Sequence, residues 1–294
     1  MAENVQVGLK AHLVGAAQVA KDTEVRQSLN GVRFATFGET GVAGVDLDRI
    51  LETVPAAIVA SLKANTYYFV PLALREPPAT TAKTRKSERA MVASAYTDEF
   101  SDAAICHRNV ELGSGKHGVF ISTRLLADRF ALSFEFFINV AHAFVDQTGF
   151  PQAFGDLVWK QALDNSRGET SLDAWESRNL AFGRPADAQP EAAGSRRPRS
   201  FAPSARAFSV AMAEASATPA VDEKQRNAYL GAAFSDAVAI YLLSLALDFD
   251  YTDLREREYP LLAPAALAAR LRVVAELFPP NPGYEFAVRY RRRA

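Results

Sequence analysis

Within the apolar run from Phe130 to Asp146 (FALSFEFFINVAHAFVD), the polar side chains Glu135, Asn139, His142 and Asp146 fall at offsets 0, 4, 7 and 11. At about 3.6 residues per turn these positions form one line along one face of a helix whose other residues are mostly Phe, Leu, Ile, Val and Ala. A helix this apolar is buried on most sides, so its polar line faces water, a polar cleft or a buried hydrogen-bonded network. Imidazole, carboxylate and carboxamide on one line suit acid–base chemistry or weak binding of a divalent metal. The same spacing also describes an amphipathic helix with a narrow wet face, in which His142 and Asp146 make an ordinary i,i+4 pair.

The supply of soft or borderline ligands is short: four histidines (His12, His107, His117 and His142) and one cysteine, Cys106. One thiol excludes an internal disulfide framework and any site built on several thiolates, and it fits a reducing compartment. A cytoplasmic location is therefore expected. Cys106 and His107 are neighbours in a predicted strand and point to opposite faces, which suits a buried structural thiol better than a nucleophile–base couple. Gly113-Ser-Gly115-Lys-His117 lacks the spacing of a phosphate-cradling loop and reads as a turn between two strands. Asp236 is the only charge in the apolar stretch Ala232 to Leu247. It requires a partner, such as Arg255 or Arg257, or a place in the same pocket as His142.

Ile138-Asn-Val-Ala-His142-Ala-Phe144 resembles the active-site helix of the zincin metallopeptidases, usually written His-Glu-x-x-His and followed in many fungal members by Ala-Phe or a similar pair. Downstream, Gly168-Glu-Thr-Ser-Leu-Asp-Ala-Trp-Glu176 followed by Phe182-Gly183 resembles the segment in those proteins where a Glu approaches the metal. Glu169 and Asp173 match the Glu-x-x-x-Asp spacing of glutamate-using zincins, in which the Glu ligates zinc and the Asp supports a ligand. The resemblance covers roughly residues 100 to 185. It implies a zincin-like fold with the former catalytic helix at Phe130 to Asp146 and the facing segment at Glu169 to Glu176.

The departures decide what chemistry to expect. The family's first histidine ligand falls on Ile138 and its general base on Asn139; only the second histidine position, His142, is kept. Zinc hydrolysis needs about three protein ligands and a base for the metal-bound water. Isoleucine offers a metal nothing, and asparagine cannot accept a proton near neutral pH. Peptidase activity by the family mechanism is therefore not expected. No cofactor is expected, and zinc is the ion that a residual set of His142, Glu169 and Glu176 would hold, with His107 or His117 as a second nitrogen. Three roles follow: a pseudoenzyme whose retained cleft binds or scaffolds; a small-molecule enzyme, such as a biosynthetic accessory protein, using His142, Asn139 and Asp146 or Glu169 as acid–base and hydrogen-bonding groups; and a residual metal-dependent hydrolase. A small molecule or peptide is the expected occupant of the cleft.

The elements that must position these groups read as helices, a few strands, then mostly helices. Val5 to Ala20 and Asp46 to Lys63 are predicted helices, the second split or kinked by Pro55. Thr66 to Leu74 is a predicted strand that Pro71 pushes toward an edge or a bulge. Further strands are predicted at Ala103 to Val110 and Gly118 to Thr123, and helices at Phe130 to Asp146, Ala232 to Leu247 and Leu261 to Leu277. Residues 184–206 have the composition of a mobile surface insertion, and Pro77 to Lys86 that of a polar loop. Without an alternating strand–helix rhythm the class is α+β, taken as a single zincin-like domain over residues 1–294.

The 294 residues carry 33 Lys and Arg against 34 Asp and Glu, a net charge of −1, and so have no global preference for nucleic acid or an anionic membrane. The start of the chain does not read as a secretory signal, and the stretch Ala232 to Leu247 is too short to span a bilayer, so neither nucleic acid nor membrane is expected as a partner.

Overall fold

All six residues of one strand, Asn65–Val70 (β4), are buried, because the strand runs through the middle of a sheet covered on both faces. The computed structural model of the chain describes residues 12–75, 90–104, 106–126, 128–188, 221–254 and 259–289. Two compact units emerge: the described parts of Met1–Thr148, Val238–Asp248 and Ala275–Ala294 form the first, and those of Gly149–Ala237 and Phe249–Val274 the second. The class is α+β.

The first unit opens with β1 (Leu13–Gly15), α1 (Ala16–Asp22), β2 (Arg26–Gln27) and β3 (Arg33–Thr36). Helices α2 (Gly44–Glu52) and α3 (Ala56–Val59) lead to β4. Then follow β5 (Leu72–Arg75), β6 (Ala90–Ala93), α4 (Asp98–Ser101), β7 (His107–Gly113), β8 (Lys116–Ser122), a 3-10 turn at Thr123–Leu125 and α5 (Arg129–Thr148). The five-stranded sheet has the order β2-β3-β4-β8-β7, with β3, β4 and β8 parallel and the two edge strands antiparallel. A three-stranded antiparallel sheet has the order β1-β6-β5.

Alternation along β4 assigns its two faces. Tyr68 and Val70 join Ala16, Val19, Ala73, Val92 and Phe120 in one apolar cluster, with Tyr68 stacked on Phe120 at 4.5 Å. Tyr67 and Phe69 meet Phe136 of α5 at 5.1 and 5.8 Å. Gln147 near the end of α5 donates to Asn65 Oδ1 at 2.9 Å, so the helix is pinned to β4 at both levels.

Several sequence expectations change here. Pro71 does not push its strand to an edge: it lies between β4 and β5, where its missing N–H ends the central strand and the chain passes to the smaller sheet. The new path is held by Ser122 Oγ, which accepts from the Ala73 N–H at 2.7 Å. β1 replaces part of the helix expected over Val5 to Ala20, whose first residues lie outside the described ones. Pro55 does split its helix, standing immediately before α3. Gly113, Ser114 and Gly115 all have positive φ and turn β7 into β8 as expected. Pro77 to Lys86, Arg255, Arg257 and residues 189–206 of the expected insertion fall outside the described residues.

The second unit is helical: α6 (Gln152–Leu163), α7 (Leu172–Ala181), the first part of α8 (Glu223–Ala246) and most of α9 (Pro264–Leu277). α8 is longer than the sequence suggested. By length and composition it could cross a membrane, yet 72% of its most apolar window is buried within the protein, as in a core helix. Trp159 stacks on Phe182 at 5.1 Å and lies under the Arg226 guanidinium at 4.7 Å, and Phe154 meets Phe234 at 4.8 Å.

At the middle of this unit is a fully buried carboxylate, Glu169. Arg270 Nη1 of α9 donates to it at 2.9 Å, Arg178 Nη1 of α7 at 3.1 Å and the Tyr229 hydroxyl of α8 at 2.6 Å. Gln161 of α6 completes the set by accepting from Arg270 Nε at 2.8 Å. Burial works against the charge on Arg270, but the neighbouring carboxylate overturns this and lifts its pKa above the usual arginine value. Backbone pairing holds Glu169 in place: its N–H reaches Pro260 O at 3.0 Å and its carbonyl accepts from Leu262 N–H at 2.9 Å. Gly168 before it has φ +76° and packs against the Leu261 carbonyl, where a Cβ would collide.

Asp236 finds its partners in the same unit. Its Oδ2 accepts from Thr170 Oγ1 at 2.7 Å, and Ser171 also hydrogen-bonds to it. Burial nevertheless raises its pKa to about 6.

Two measurements check this network. Glu169→Gln leaves two buried guanidinium groups undercompensated and is expected to cost about 3–5 kcal/mol in chemical denaturation. For Asp236 the folded pKa lies above the unfolded one, so its contribution is full below the unfolded pKa and is lost as pH rises through about 6. Asp236→Asn is expected to be more stable than the parent at pH 8 by about 2 kcal/mol, with the difference vanishing near pH 4.

Candidate functional site

The polar line on α5 divides in two. Asn139 is only 1% exposed. Its Nδ2 donates to the Glu135 carbonyl at 2.8 Å and to Glu135 Oε1 at 2.9 Å, and its Oδ1 accepts from the Cys106 thiol at 3.4 Å. Cys106 lies just before β7, so the strand delivers the thiol to the helix. Burial, and then the Glu135 carboxylate beside it, push the Cys106 pKa up to about 12. At neutral pH this group is a hydrogen-bonding thiol rather than a nucleophilic thiolate. Further along the helix, His142 and Ile138 are half-buried and Asp146 is exposed. The helical line is real, but its members serve different surroundings: a closed network at Glu135 and Asn139, and solvent at Asp146.

The second expected segment also has a structural use. Ser171 is the N-cap of α7 and accepts from the Ala174 N–H at 3.1 Å, Asp173 is an exposed acid in the first turn, and Trp175 is buried. Glu176 is half-buried on the same helix. The Glu169 carboxylate is surrounded by Arg178, Arg270 and Tyr229, all of them donors. Two cations on a carboxylate repel a third, so this residue does not fit the part of a zinc ligand. Ile138 has no donor atom, and the Asn139 side-chain oxygen already accepts from Cys106. Among the described residues, no three of His, Cys, Asp and Glu come together as a metal-holding group. His117 lies in β8, paired with Asn65, and His107 begins β7.

What the sequence reading missed is a cavity of about 430 Å³ in the first unit, near the start of α5. Its wall includes Thr40 and Gly41 from the loop after β3, Tyr96 before α4, Arg124 from the 3-10 turn, and Arg129 and Leu132 from α5. Thr123 ties the wall together, donating to the carbonyls of Thr40 at 2.7 Å and Val70 at 3.0 Å. The Arg124 guanidinium lies 5.9 Å from the Tyr96 ring centroid. Gly41, at φ +71°, sits so close to this guanidinium that a Cβ would fall 2.5 Å from Nη1. Asp128 caps α5 by accepting from the Ala131 N–H at 2.8 Å. The signal available in the sequence was Thr123-Arg-Leu-Leu-Ala-Asp-Arg129: two arginines at the junction of a strand and a long helix, where a cation opposes the helix dipole.

The thiol environment has a measurable consequence. Alkylation of Cys106 by iodoacetamide at pH 8 is expected to be on the order of a thousandfold slower than that of an unperturbed cysteine, because so little thiolate is present. Glu135→Gln removes the negative charge and is expected to speed it; equal rates in the two proteins would contradict this assignment.

No protein-family model, no curated protein and no solved structure matches the chain.

Proposed function

We propose that this chain is a non-hydrolytic binding protein built on a zincin-like frame, in which the residues that once served a metal now hold the fold together. The observation that carries this is the Glu169 carboxylate, buried and bound by Arg178, Arg270 and Tyr229. A carboxylate kept for a divalent cation would leave lone pairs free toward open space; this one directs them at two guanidinium groups.

Chain order supports the same frame: a mixed sheet with an antiparallel edge hairpin, then α5 with His142, then a helical unit in which Glu169 precedes α7. The replacements Ile138 and Asn139 on α5 remove a ligand and the base, and Asn139 is joined to Glu135 and Cys106. The use of His142, Asn139 and Asp146 as a small-molecule acid–base set has less support, since Asn139 is committed to that network and Asp146 points to solvent. A cavity of about 430 Å³ lies within the size range of small-ligand pockets and supplies a place for binding.

Metal analysis of the purified chain, joined to thermal melts with added zinc and with a chelator, tests this. The expected result is substoichiometric zinc and melting unmoved by either reagent. Stoichiometric zinc that is lost in both His142→Ala and Glu169→Gln would overturn the proposal.

A further inference from the structure

We propose that the cavity beside the start of α5 is a binding site for a small organic monocarboxylate with an apolar body, held by Arg129 and Arg124. This names the ligand class for the binding role proposed above and rests on it.

Arg129 is the first residue of a 20-residue helix whose first turn contains no acid. The peptide dipoles make that end of the helix positive, so a guanidinium placed there is disfavoured unless an anion lies beside it. The cap residue Asp128 has one carboxylate oxygen engaged by the Ala131 N–H. Arg129 Nε is buried and has no hydrogen-bond partner among the described residues. A buried donor left unmade is costly, and Arg129 lines the cavity as well. Arg124 contributes a second guanidinium to the same cavity. Among the described residues neither arginine forms an ion pair. Tyr96 and the Gly41 backbone instead restrain Arg124 from two sides. Two forked donors and a helix N-terminus bordering one cavity are suited to a planar anion.

The rest of the wall narrows the class. Val42, Ile50 and Leu132 offer apolar surface for a hydrocarbon body. Asp46 and Asp128 line the same cavity, and their charge raises the cost of a dianion relative to a monoanion. Inorganic phosphate is therefore the disfavoured occupant and a monocarboxylate the favoured one.

Isothermal titration of the full chain with hexanoate, phenylacetate, hexylamine and inorganic phosphate tests the proposal. Saturable binding of at least one carboxylate is expected at millimolar concentration or below, with hexylamine and phosphate at least tenfold weaker. Arg129→Met is expected to weaken carboxylate binding by roughly tenfold or more. Its melting temperature should be unchanged or higher, since a cation leaves the helix N-terminus. Arg124→Met, at an exposed position, provides the same readout should the first variant fold poorly. No saturable carboxylate binding, tighter binding of phosphate, or wild-type affinity in the folded arginine variants would each overturn the site. These outcomes are separate from the zinc measurement: failed carboxylate binding leaves a zinc-free chain zinc-free, and zinc uptake is read without any carboxylate present.

Discussion

A single negative charge taken out of water sets the terms for the helical unit. The Glu169 carboxylate has no solvent exposure, and its stabilisation comes from side chains on separate helices: Arg178 from α7, Tyr229 from α8 and Arg270 from α9, with Gln161 of α6 fixing Arg270 in turn. In a low-dielectric interior such a charge is tolerated only when its partners arrive together with good geometry. Each helix must therefore take up a register that presents its donor to the same place. Gly168 makes this possible by letting the chain pass against the Leu261 carbonyl just before the glutamate. The motif that resembles a metal-approaching segment is thus occupied by a fold-holding task, and its neighbours Ser171 and Asp173 cap and charge the start of α7.

The first unit depends on apolar burial instead. β4 is covered on both faces, by the Tyr68 and Val70 cluster on one side and by Phe136 of α5 on the other. Because α5 is held by its aromatic face, the orientation of its polar line follows from packing. Glu135 and Asn139 meet Cys106 at the end of a strand, and the thiol is kept protonated by burial and by the adjacent carboxylate. Helical spacing brought these residues to one line, while the surroundings of each position decided whether it formed a closed network or met water.

Where α5 begins, two guanidiniums and two carboxylates, those of Asp46 and Asp128, border one cavity. A guanidinium stands at the positive end of the helix with a buried Nε lacking a partner, and a second guanidinium shares the cavity. In the helical unit the buried carboxylates are met internally, Glu169 by two arginines and Asp236 by two hydroxyls.

Local chemistry along the chain was enough to establish the α+β class, the break at Pro55, the Gly113-Ser-Gly115 turn and the long apolar helix around His142. Each depends on neighbours within a turn or two, where spacing and backbone preference act directly. Other features required distant residues to meet. Local preference placed Pro71 inside a single strand from Thr66 to Leu74, at an edge or a bulge; only sheet pairing showed β4 at the centre with Pro71 outside it. Arg33–Thr36 was too short to announce itself as a strand until it paired with β4. Glu169 looked like a ligand until Arg270, a hundred residues away along the chain, was seen to take its charge. The residue types and their periodicity determined which groups were available for chemistry; tertiary structure decided which were spent on each other, because burial turns every charge and donor into a demand that only a folded neighbour or a ligand can meet.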